Sequence, residues 1–160
     1  MRGGALPPSL LCATVGLLLA YAPRRTIVAA TISLILSAVA VFFLPLPPAL
    51  EEPVFLACWV SVMGTAAAIH LPGGPGPRLS IALGLNAGAW TGAVISVAGD
   101  LTDMAIALPW VLLVLPALWL RRTRIGIAVK IVASWLGAVA ILAAAVTLTP
   151  TPGYEPDHRE

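Results

Sequence analysis

Charge is what this sequence has least of. Of its 160 residues only 10% are Asp, Glu, Lys or Arg, while 59% are hydrophobic. One water-soluble core of this size cannot bury so large an apolar share, so the composition argues against an ordinary soluble domain and points to lipid as the solvent. Groups that do chemistry are equally sparse, with two cysteines and two histidines in the whole chain. Cys12 and Cys58 form no CxxC, and no HExxH, P-loop or strand-flanked GxGxxG is present. Gly73-Gly74-Pro75-Gly76 carries proline where a phosphate cradle needs amides, and reads as a turn. With no nucleophile beside a base and no metal-ligand cluster, no catalytic residue, cofactor or metal ligand is assigned, and the chain is expected not to be an enzyme. It also lacks a basic face open to water, which argues against nucleic acid as a partner.

What the sequence does have is apolar length. A helix that crosses a hydrocarbon layer of roughly 30 Å needs about 20 apolar residues. Six runs are of that order, at 6–22, 26–44, 54–70, 79–99, 104–120 and 125–149, the last beginning at 131 if only uncharged residues are counted. Backbone polar groups find no water in lipid, and the runs are too long and too unalternating for barrel strands, so each is expected to be an α-helix. The expected fold is therefore an all-α membrane protein: a six-transmembrane-helix bundle over residues 1–149, with short proline-rich loops and no soluble domain, followed by an extended or disordered tail at 150–160.

The few charges are ordered. Successive connections carry Arg24 and Arg25, then Glu51 and Glu52, then Arg78, then Asp100 and Asp103, then Arg121, Arg122 and Arg124. The sign alternates without exception. Because Arg and Lys in short loops are retained on the cytoplasmic side, these arginines are read as topology anchors, with Lys130 snorkelling at the same boundary. That reading predicts a multi-pass protein of the cell (inner) membrane with both termini non-cytoplasmic. Arg2, the leucine-rich first run and Ala20-Tyr21-Ala22 imitate a signal peptide, but Pro23 spoils the cleavage site, and cleavage would leave Arg24 and Arg25 on a translocated end. The run is kept as the first span. His70 and His158 then fall on opposite sides of the membrane and cannot share a metal.

Small residues mark where helices can approach closely. Gly84, Gly88 and Gly92 recur every four residues in the fourth run, a double GxxxG. Asn86 lies roughly opposite them on the helical wheel and needs a partner of its own, which puts this run near the centre of the bundle. Ser61 and Gly64 in the third run, Ser33 and Ser37 in the second, and Gly137 in the sixth suggest further packing faces. The first and fifth runs are dominated by bulky residues and are expected at the periphery or in a subunit contact, with Pro109 and Pro116 bending the fifth.

Asn86, Asp100 and Asp103 are the residues a polar pathway would use, although interhelical bonding for Asn86 and helix capping for the two aspartates are the plainer roles. Cys12 and Cys58, at similar depth, read as small hydrophobes. The partners expected are the lipid bilayer and other membrane proteins or further copies of the chain. The expected function is that of a non-enzymatic membrane component or accessory subunit of a membrane assembly, with a small oligomeric permease or channel as the alternative.

Overall fold

The computed structural model describes residues 5–123 and 126–148. Arg2, Arg124, His158 and the tail at 150–160 lie outside the described residues. Among the described residues there is no strand. The chain forms α1 (Leu6–Leu19), α2 (Arg24–Phe42), α3 (Glu51–Ile69, preceded by a short 3-10 turn), α4 (Pro77–Ala98), α5 (Leu101–Ala107), a 3-10 segment (Leu108–Leu113), α6 (Val114–Arg122) and α7 (Ile127–Leu148). The run from α5 to α6 is one span of 22 residues, so the described residues form five membrane-length helical spans and the shorter α1.

α2, α3, α4 and α5 begin two or three residues before their apolar runs, because a first helical turn accepts polar or proline residues. Pro7 and Pro8 open α1 and Pro77 opens α4, where a missing N–H is no loss. Glu51 and Glu52 occupy the first turn of α3, where the helix dipole favours negative charge. Arg24 and Arg25, and Arg78, sit at the starts of α2 and α4, where the same dipole disfavours them. Their position therefore does not serve helix stability.

Three helices form the centre. α1, α3 and α4 pack on one another, and each carries one outer span: α2 lies on α4, α7 on α3, and the α5–α6 span on α1. The expectation that the first run is peripheral is overturned: every residue from Leu11 to Ala20 is buried. At 14 residues and about 1.5 Å of rise each, α1 is only about 21 Å long, well short of the roughly 30 Å of hydrocarbon. The error has a physical cause, since a leucine against lipid and a leucine against protein are equally well solvated, so bulk alone does not locate a helix in a membrane bundle. The sixth run, assigned a core-type face, is instead an outer helix, α7.

The fifth span is broken. Pro109 and Pro116 cannot donate to the carbonyls four residues earlier, and the backbone from Leu108 to Leu113, which contains Pro109, tightens to a 3-10 helix. This segment lies directly on Gly16 of α1, where an added Cβ would come within 2.6 Å of the Val111 carbonyl oxygen.

Outward faces are apolar. Val28 and Leu36 of α2 are 61% and 64% exposed, and Trp135 and Leu142 of α7 are 64% and 68% exposed. Faces of this kind on five helices long and apolar enough to cross a bilayer identify a membrane-embedded helical bundle.

Candidate functional site

The tightest packing lies between α2 and α4. A Cβ at Gly84 would meet the Ala30 carbonyl oxygen at 2.6 Å, one at Gly88 would collide with the Leu34 carbonyl oxygen and Ser37 Oγ, and one at Gly92 would meet the Ala38 carbonyl and, at 3.0 Å, the Phe42 nitrogen. The pairings rise together in number, so the two helices run parallel. Ser37 Oγ donates across the seam to the Leu85 carbonyl oxygen at 3.0 Å. The α2 residues that meet the glycines are Ala30, Leu34 and Ala38.

Two residues assigned to packing are corrected. Ser33 is half-buried and donates to the Ala29 carbonyl of its own helix, because the seam follows Ala30, Leu34 and Ala38 and passes it by. Gly64 is exposed, with nothing within 4 Å of an added Cβ, because α3 turns its Val62, Thr65 and Ile69 side to the bundle. Gly137 of α7 faces Ala66 of α3, where a Cβ would make an ordinary 3.4 Å contact.

On the other side of α4, Asn86 is held at both ends. Its Nδ2 donates to Ser61 Oγ at 2.9 Å, and its Oδ1 accepts from Trp90 Nε1 at 3.0 Å. The Trp90 spacing of one helical turn was visible in the sequence, but the choice of Ser61 as a partner was not. Cys12 Sγ of α1 touches Thr91 Oγ1 of α4 at 3.7 Å, and both Cys12 and Cys58 are buried free thiols. His70 at the end of α3 pairs with Ser134 Oγ of α7 at 3.1 Å. The buried hydroxyls of Thr65 and Ser80 have no hydrogen-bond partner among the described residues.

Charge is segregated along the bundle axis. At one end, Arg121 donates through Nη1 to the Ala20 carbonyl oxygen and stacks 4.4 Å from the centre of the Tyr21 ring. Gly74 lies against the Tyr21 carbonyl, so the loops bearing Arg24, Arg25, Arg78, Arg121 and Arg122 gather there, with half-buried Lys130 in the first turns of α7. The acidic loops are at the other end. Asp100 caps α5: its Oδ1 accepts from the Thr102 and Asp103 nitrogens at 2.9 and 3.4 Å and from the Thr102 hydroxyl, while Asp103 Oδ2 accepts from the Asp100 nitrogen at 3.2 Å. The Thr102 hydroxyl and then the Thr102 amide hold the Asp100 carboxyl below the usual carboxylate range.

The structure does not bring Asn86 and the aspartates together. Along α4, Asn86 and Asp100 are separated by about 21 Å at roughly 1.5 Å per residue, and Ile95, Val94 and Ala93 between them are buried hydrophobic residues. Among the described residues, no group of three or more His, Cys, Asp or Glu side chains is placed to hold a metal.

Fold and surface together define a helical integral membrane protein. No family model matches the chain, and neither a curated protein nor a solved structure is significantly similar to it.

Proposed function

We propose that the protein is a non-enzymatic component of a membrane assembly, acting through helix packing with other membrane proteins or with further copies of itself. The observation that carries this reading is the state of Asn86, whose carboxamide is engaged by Ser61 and Trp90 inside the bundle. A side chain that lines a solute path must exchange partners with the solute, whereas one bonded at both ends serves as interhelical glue. The segregation of arginines from carboxylates supports an inner-membrane orientation with the basic end in the cytoplasm and both Leu6 and Leu148 at the outer end.

Reconstituted liposomes and native affinity capture test the proposal together. The expected result is no solute flux above that of empty liposomes, with a stoichiometric membrane partner or a defined homo-oligomer recovered in mild detergent. Saturable flux that Asn86→Leu abolishes in a folded protein overturns it in favour of a small oligomeric permease. That second reading has one feature on its side, the 3-10 segment around Pro109 in the fifth span, since broken helices supply backbone carbonyls at membrane depth.

A further inference from the structure

The glycine seam ends in an opening. Gly92 brings the backbones of α2 and α4 together at the level of Ala38 and Phe42. α2 then stops at Phe42, ahead of Pro45, while α4 continues to Ala98 before turning at Gly99 into Asp100. The space left between the two helix ends is an open cleft of ≈ 570 Å³ at the acidic end of the bundle, lined by Phe42, Phe43, Ile95, Ser96 and Asp100 among others.

The lining has a definite chemistry. Phe42 and Phe43 stand edge to face with ring centres 5.4 Å apart, and ring faces attract cations. Asp100 is the charged residue of the lining, and among the described residues no basic side chain shares it. All three hydrogen bonds that the cap places on Asp100 go to Oδ1. Its Oδ2 accepts none among the described residues. Ser96 spends its hydroxyl proton on the Ala93 carbonyl at 3.0 Å, so toward the cleft it offers lone pairs. The cleft is thus aromatic, apolar and hydrogen-bond accepting, with one negative charge half of whose acceptor capacity is free.

We propose that this cleft binds an organic cation with an apolar body, its positive charge held between the Asp100 carboxylate and the Phe42 and Phe43 rings. A simple metal ion does not suit it, because the lining offers one carboxylate against a largely hydrocarbon wall. An anion is excluded by the charge. A neutral hydrophobe would draw nothing from the Asp100 charge and would gain nothing over the surrounding lipid.

Tetraphenylphosphonium is a suitable probe, with neutral triphenylphosphine oxide as its uncharged counterpart. Equilibrium dialysis against the full chain in maltoside micelles, corrected for protein-free micelles, is expected to show saturable binding of the cation and none of the oxide. Asp100→Asn removes the charge but keeps the helix cap, since Asn caps as well as Asp, and is expected to weaken binding by about tenfold. Phe43 is 75% exposed, so Phe43→Leu leaves the bundle intact. It is expected to weaken binding by about three- to fivefold, the loss of one exposed cation–ring contact. Absence of saturable binding, equal binding of the oxide, or wild-type affinity in both variants overturns the proposal. Should Asp100→Asn fail to give a monodisperse protein, the Phe43→Leu affinity and the oxide comparison decide it.

Discussion

At Asn86 a single carboxamide joins α3 to α4 and also steadies an indole on its own helix. Substituting leucine removes both bonds and leaves the Ser61 hydroxyl and the Trp90 N–H in an apolar setting. Hydrogen bonds inside membrane bundles contribute about 0.6 to 1.7 kcal/mol each, so Asn86→Leu is expected to lower stability by roughly 1–2 kcal/mol, measured by reversible unfolding in mixed micelles of rising dodecyl sulfate content. Unchanged stability would show that the carboxamide does not hold α3 to α4. Asp100 makes a prediction with a sign. Its folded pKa lies below the unfolded one, so its stabilising contribution is complete above the ordinary aspartate value of about 3.9 and is lost as pH falls through the lower folded value. The melting temperature of the wild type relative to the non-titrating Asp100→Asn, followed downward from pH 6, is expected to hold steady and to fall only below about pH 4. A difference that shrinks between pH 6 and 5 instead would place the titration elsewhere.

Helices, rather than residues, decide how glycine behaves. Gly88 and Gly64 both sit in apolar spans, yet a side chain at Gly88 would strike the Leu34 carbonyl and Ser37, whereas one at Gly64 would meet open space. Gly88→Val is therefore expected to destabilise the bundle by about 1–3 kcal/mol, the usual cost of overpacking. Gly64→Ala is expected to be neutral or to stabilise by up to about 1 kcal/mol through helix propensity. The same unfolding assay separates the two, and equal effects would contradict the seam. The contrast also shows what the sequence could reveal. A four-residue period of glycines is legible because only close backbone approach explains it, and the register of six apolar runs is legible because lipid demands a minimum length. The face of a helix that meets its neighbours is harder to read. Ser33 and Gly64 are small enough for a packing face, but small residues also occur on lipid-facing sides, and nothing local tells them from Ser37 or Gly84. In α1 the informative residues were Cys12, whose thiol meets Thr91 of α4, and Gly16, whose bare backbone leaves room for the Val111 carbonyl, while Thr14 bonds back to the Leu10 carbonyl of α1 itself. Leucines on both sides masked them.

For the whole molecule, the separation of charge fixes which loops share a membrane face. Arg121 against Tyr21, and Gly74 against the same residue, tie the first, third and fifth connections into one cluster. The acidic loops form the other, with Glu51 and Glu52 close to Thr147 near the end of α7. A membrane-impermeant maleimide applied to intact cells is expected to label Glu51→Cys and to leave Gly73→Cys unlabelled until the membrane is opened. Cys12 and Cys58, both buried, should give no background. Labelling of Gly73→Cys in intact cells would reverse the proposed orientation while leaving the fold unaffected.

The burial of α1 bears on how the protein is made. Its helix is the first of the described spans to leave the ribosome, yet the surfaces that enclose it belong to α3, α4 and the fifth span, all translated later. Until then a stem of about 21 Å must wait in a bilayer thicker than itself, with Gly16 still uncovered. The cover over that glycine is therefore complete only once the 3-10 segment of the fifth span has been made.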